Sequence, residues 1–135
     1  MVYLTRKEHF NAAHRLYVAH WPDEQNEAVF GPCANTNFHG HNFDLYVTVK
    51  GEPDPDTGFI LNAKELGRLM REHIVARFDH KNLNLDVDDF ADRQPSTENF
   101  VKVIWKRLAP HLPPGTLFRV RLFETENIYA DYFGD

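Results

Sequence analysis

The sequence predicts an α+β fold in which a four-stranded antiparallel sheet carries two helices on one face. Three observations lead there. Alternation of period two marks strands at 42–50 and 117–124. Apolar stripes at helical spacing mark 62–78 and 96–112. The elements also come in blocks, two strands, two helices and two strands, and such grouping favours segregated layers over a parallel β–α–β sheet.

The first strand, "VYLTRKEHF" (2–10), is the weakest, because its faces are not cleanly apolar and polar. "NFDLYVTVK" (42–50) alternates well, with Phe43, Leu45, Val47 and Val49 against Asp44, Tyr46, Thr48 and Lys50. "KGEPDPDTGFI" (50–60), rich in Pro, Asp and Gly, reads as a turn. In 62–78, Leu66, Leu69, Met70, His73 and Ile74 form the stripe, and Asn62 and Glu65 stand at capping-box positions. Gly67 inside this helix costs about 1 kcal/mol relative to alanine. In 96–112, Ser96 is the N-cap, Phe100, Val103, Ile104 and Leu108 form the stripe, and Pro110 ends it. In the strand 117–124, Phe118, Val120 and Leu122 oppose Arg119, Arg121 and Phe123, and "NIYADYF" (127–133) is a further strand. Two helices cover one face only, so the other face and both edges call for assembly into oligomers.

A chain of 135 residues is expected to be one domain, 1–135, burying roughly two-thirds of its unfolded surface without staples. The single cysteine permits no intrachain disulfide, and "MVYLTRKEHF" is too charged for a signal peptide. With no apolar run of membrane-spanning length, a cytoplasmic location is expected. The net charge of -5 argues against a generic nucleic-acid binder and leaves an anionic small molecule open.

The chemistry concentrates in "FGPCANTNFHGHNF" (30–43). In an extended segment His39 and His41 point to one side, so they can offer two imidazoles to one cation. His14 in "FNAAHRL" is a candidate third ligand, and a three-ligand zinc keeps a position open for water or substrate. Cys33 is open to three readings: a fourth ligand closing the site, an inert thiol, or an acid–base thiol standing off the metal. In "RFDHKNLN" (77–84), Asp79 and His80 are an acid–base pair if a turn brings them together, and otherwise a charged turn. Glu124 in "RLFETEN" is either a solvated strand end or the acceptor of two parallel N–H donors, such as a guanine or pterin ring presents.

Taken in order, "FNAAHRL", "FGPCANTNFHGHNF", "FDHKNLN", "STEN" and "FETEN" resemble the 6-pyruvoyl-tetrahydropterin synthase family, whose superfamily includes the 6-carboxytetrahydropterin synthases of queuosine biosynthesis. The resemblance covers nearly the whole chain. It implies the tunnelling fold (T-fold), in which trimers close a β-barrel, two trimers stack as a homohexamer, and active sites lie between subunits. It also implies Zn2+ on His14, His39 and His41, a proton-transferring Cys33 that is not a ligand, and Asp79 and His80 as the acid–base pair. Glu124 matches the pterin-anchoring carboxylate, and Ser96, Thr97 and Glu98 match the segment lining the pterin pocket.

The implied reaction turns 7,8-dihydroneopterin triphosphate into 6-pyruvoyl-tetrahydropterin and triphosphate. The alternatives are 6-carboxytetrahydropterin formation and a non-catalytic pterin-binding module with a structural zinc. The spacing C-x5-H-G-H is that of the pyruvoyl branch; the carboxy branch typically has C-x3-H-G-H. Phe38, where pyruvoyl-branch members commonly have glycine, and Glu126, where aspartate is common, depart from the pyruvoyl pattern. Arg6, Lys7 and Arg15 are candidate cations for the triphosphate, or simply a solvated charged edge.

Overall fold

In the computed structural model, which describes residues 1–135, strand β1 (Val2–His14) pairs antiparallel with β2 (His39–Gly51) along its whole length. The sheet runs β3-β1-β2-β4-β5, with β4 (Leu117–Thr125) and β5 (Ile128–Tyr132) antiparallel beyond β2. The four long strands are those of the sequence pattern. The short β3 (Lys81–Asn82) adds a parallel edge against Ala12 and Ala13 only.

Helix α1 (Asp23–Phe30) precedes β2, while α2 (Ala63–Met70), α3 (Ala76–Phe78) and α4 (Thr97–Leu108) cover one face of the sheet. That face presents Phe10, Phe43, Leu45, Val47 and Val49, each at most 1% exposed. Under the helices, Phe100 packs edge-on against Phe10, Phe43, Phe78 and Phe90, with ring centroids 4.9–5.7 Å apart. Edge-to-face pairs of this kind add to the area they bury. No helix is long and apolar enough to cross a membrane.

The blurred alternation of β1 has a physical cause. Arg6 and Glu8 point toward the helices, and they are satisfied there by pairing. The Glu8 carboxylate accepts from Arg71 at 2.8 Å and from Arg6 at 3.4 Å, and Arg6 donates to the Ala63 carbonyl. Gly67 makes the space: a Cβ there would lie 2.6 Å from the Arg6 guanidinium carbon. The helix-propensity cost of that glycine thus accompanies a strand arginine laid across α2.

Other departures from the sequence pattern are equally local. A register shift at Thr48/Val49 pairs Val49 with Leu117, so Leu117 and Val120 face the core and Phe118 turns out to meet Tyr3. Such bulges re-aim side chains. A π-helical turn (Arg71–Val75) joins α2 to α3; Met70, Ile74 and Phe78 stay buried, whereas His73 leaves the stripe and stacks on His111. Helix α1 escaped the sequence pattern because it buries only Asn26, whose amide closes two hydrogen bonds with the Val18 backbone.

Both caps form. Asn62 accepts from the Lys64 N–H at 2.9 Å and Ser96 from the Asn99 N–H at 3.2 Å. Glu65, at the capping-box position, pairs with Arg68 instead of reaching back. The loop leading to α4 is tied down by Asp89, which takes hydrogen bonds from Arg77 of α3 and Arg107 of α4.

Candidate metal centre and active site

The β1–β2 register builds the site. His14 stands opposite His39, and Ala12 opposite His41. Counting by twos along each strand, His14 and Ala12 share the face of Phe10, while His39 and His41 share that of Phe43. The three imidazoles meet with ring centroids 4.5, 5.0 and 4.8 Å apart. Phe43 forms their floor, 5.8 Å from His41 and 6.4 Å from His14. Parity on β4 brings Glu124 to the same face as Val120 and Leu122, so its carboxylate joins the group. Donor atoms of His14, His39, His41 and Glu124 all lie within 4.8 Å of one another.

These donors have the character a cation needs. His14 Nδ1 lies 2.7 Å from the Pro95 carbonyl, which can only accept, so Nδ1 carries the proton and Nε2 a lone pair. The ring is 1% exposed. Burial, reinforced by neighbouring rings, pushes His39 and His41 below the ordinary imidazole range, favouring their neutral, ligating form. The Glu124 carboxyl is held well below its ordinary range, against the effect of burial, by the His14 ring when that ring is protonated and then by the Thr97 hydroxyl, which donates to it at 2.8 Å. His14 Nε2, both His39 nitrogens and His41 Nε2 are buried without a hydrogen-bond partner of sound geometry. An orphaned nitrogen on each of three rings beside one carboxylate is costly unless a cation gathers them, one nitrogen from each ring, and three neutral imidazoles suit a divalent transition metal. The residues fit a metal ion.

Cys33 stands off this cluster. It sits in a 3₁₀ turn (Gly31–Ala34), half-buried, and its thiol is pushed up first by burial and then by the charge of Glu124.

A turn brings the side chains of Asp79 and His80 together. Asp79 is extended, while His80 takes φ 59°, the left-handed region. The Asp79 carboxylate lies 3.0 Å from His80 Nδ1 and accepts the Asn11 N–H at 2.9 Å. That backbone bond first, and His80 after it, hold Asp79 below the usual carboxylate range. The His80 imidazole is 77% exposed and faces a cleft of about 530 Å³ lined by Asn11, Asn42, Lys81 and Asp86. No hydrogen bond or ion pair joins it to Cys33. Phe38 (φ 67°), beside the ligand candidate His39, is the other non-glycine residue in that strained region.

Of the segment opening α4, Ser96 is the cap and Thr97 is buried, donating to Glu124 at 2.8 Å. Glu98 is exposed. The sequence pattern missed two supports, the Pro95 carbonyl that orients His14 and the membership of Glu124 in the imidazole cluster. The only available signal for the second was its parity on β4.

The fold and site together define an α+β protein whose sheet carries a cluster able to hold a metal ion. The chain belongs to the 6-pyruvoyl tetrahydropterin synthase family, whose sequence model matches residues 3–135. It is 45% identical over 132 residues to the 6-pyruvoyl tetrahydrobiopterin synthase of Homo sapiens, covering 98% of this chain and 91% of that protein. The Pongo abelii protein of the same name is 46% identical with the same coverage. The structure of Caenorhabditis elegans 6-pyruvoyl tetrahydropterin synthase superposes with a TM-score of 0.93 at 32% identity, covering 99% of this chain and 96% of that one.

Proposed function

We propose that this protein converts 7,8-dihydroneopterin triphosphate to 6-pyruvoyl-tetrahydropterin with release of triphosphate. The observation that carries the reading is the cluster of His14, His39, His41 and Glu124, in a chain whose named relatives are synthases of that product. Zn2+ is the proposed ion, held by the three histidines; bound there, it would act as a Lewis acid on the side-chain hydroxyls of the substrate.

The protein's own groups do the rest. The Glu124 carboxylate, fixed by Thr97, accepts the amino and ring N–H groups of the pterin. Ser96 orders the start of α4, and Glu98, exposed in the first turn of that helix, is the proposed third residue of the pterin-lining segment. Cys33 moves protons on and off the side-chain carbons, with His80, oriented by Asp79, as its partner. Electrons balance internally. The carbinol carbon nearest the ring gives two electrons to the ring, and the next becomes a ketone as triphosphate is eliminated. No external oxidant is required.

No hydrogen bond joins the thiol to the Asp79–His80 pair in one chain, and His80 is exposed. This supports the reading that a second subunit completes each site. The outer edge of β1 is unpaired over most of its length and that of β5 is free, which supports closure into the expected barrel and homohexamer. A single-domain, cytoplasmic enzyme is the corresponding proposal for the chain as a whole.

The test is incubation of purified protein with dihydroneopterin triphosphate, followed by mass spectrometry with and without a chelator. The expected result is 6-pyruvoyl-tetrahydropterin and triphosphate, lost on chelation and restored by zinc. Formation of 6-carboxytetrahydropterin with acetaldehyde would move the protein to the queuosine branch. Tight binding without turnover would make it a binding module.

A further inference from the structure

Beyond His14, the chain leaves β1 and runs beside the turn that carries Cys33. The Leu16 N–H donates to the Cys33 carbonyl at 2.8 Å, and Arg15 Nε donates to the Ala34 carbonyl at 2.9 Å. Asn84 grips the Arg15 backbone on both sides, accepting from its N–H at 2.8 Å and donating to its carbonyl at 3.0 Å. The guanidinium carbon lies 3.8 Å from the centroid of the Tyr17 ring, a stacking that removes most of the side chain's freedom. Whereas Arg68 of α2 and Arg107 of α4 pair with carboxylates, Arg15 makes no ion pair. Its side-chain hydrogen bond goes to the turn.

We infer that Arg15 is a positioning residue: by holding the Ala34 carbonyl, it fixes the Cys33 thiol relative to the imidazole cluster that begins one residue earlier, at His14. This rests on the reading of Cys33 as the acting thiol. A role in gripping the substrate's phosphates is the competing use of the same cation. The surroundings disfavour it: the cleft that Arg15 lines, about 570 Å³, also holds Asp23 and Glu27, which repel a polyphosphate. A neutral carbonyl, a neutral aromatic face and two nearby acids suit a cation used for placement.

Three substitutions in the full-length, metal-loaded protein separate the uses. Arg15→Gln keeps an N–H donor at the position of Nε and loses the charge. Arg15→Lys keeps the charge but puts a methylene at that position. Arg15→Met loses both. Each is assayed for kcat and KM and for the rate of Cys33 alkylation by iodoacetamide, with metal content and thermal midpoint in parallel. The Lys and Met variants should lose about tenfold to a hundredfold in kcat, the size expected when a reacting group is misplaced by about 1 Å. KM should hold within about twofold, the mark of an interaction that does not bind the ground state. Alkylation should speed up in both, as the half-buried thiol is released, and the Gln variant should recover most of both properties.

Equal KM rises in the Gln and Met variants, with Lys spared, would make Arg15 a phosphate ligand and overturn the inference. Unchanged kcat and alkylation in the Lys and Met variants would overturn it as well. If Arg15→Met fails to fold, the Gln–Lys comparison decides alone. Absence of turnover in the unsubstituted protein would defeat the proposed reaction, whereas the alkylation rates still judge Arg15.

Discussion

Glu124 Oε1 lies 2.8 Å from His41 Nε2, while its other oxygen accepts the Thr97 hydroxyl at 2.8 Å. One carboxylate therefore borders both the place a metal would take and the start of α4. The proposed pterin anchor and a fourth metal ligand make different demands on it. Glu124→Gln should leave about one metal per chain and weaken pterin binding about tenfold to a hundredfold, the loss of one charge-assisted contact. Metal analysis and calorimetry with a pterin read the two effects. Loss of the metal would reassign Glu124 as a ligand.

Cys33 lies outside the donor cluster, so its removal should separate chemistry from metal binding. Cys33→Ala should lower turnover by about 10²–10⁴, the range for a missing proton-transfer group. Metal content should match that of the unsubstituted protein. A parallel fall in bound metal would place the thiol on the ion.

Phe100 is fully buried and meets Phe10, Phe43, Phe78 and Phe90. Phe100→Ala should cost about 3–5 kcal/mol of stability, since both the ring's burial and its packing are lost. Denaturant unfolding measures this. Because Phe43 rests on Phe100 and carries the histidines, metal affinity should fall in the same variant.

Asp89 is 5% exposed and takes hydrogen bonds from Arg77 and Arg107, which outweigh burial and hold its carboxyl below the ordinary 3.8. A carboxylate depressed in the folded state stabilises above its unfolded value, and that contribution disappears as pH falls through the folded value. The thermal midpoint should therefore drop as pH is lowered below about 3.8, and Asp89→Asn should remove this part of the fall. At neutral pH the same variant should lose about 1–3 kcal/mol, because both arginines keep access to water. A midpoint unmoved by Asp89→Asn at neutral pH would show that the loop is held by something else.

Much of the fold was legible because its main determinants are periodic. β2 and the core stripes of α2 and α4 repeat at 2.0 or 3.6 residues, and the structure buries those positions. What was illegible depends on partners distant in sequence. The charges on β1 look wrong until Arg71 and Gly67 arrive from α2, and α1 hangs on one asparagine. The bulge at Thr48/Val49, which swaps Leu117 for Phe118, has no local signature. In the site, H-x-H and the ordered motifs pointed to His14, His39 and His41. The company Glu124 keeps, and the separation of Cys33 from His80 in one chain, required the sheet.

The sequence by itself determined the donors: three imidazoles, a thiol, and a carboxylate at a strand end, each of a type and spacing suited to metal and proton chemistry. Only the tertiary structure decided which of them meet. Pairing His14 with His39 across β1 and β2, and bringing β4 alongside, turned positions scattered along the chain into one half-buried cluster. The physical reason is register. A slip of one residue in any of those pairings would turn the same side chains to the opposite face and leave the cation without a site.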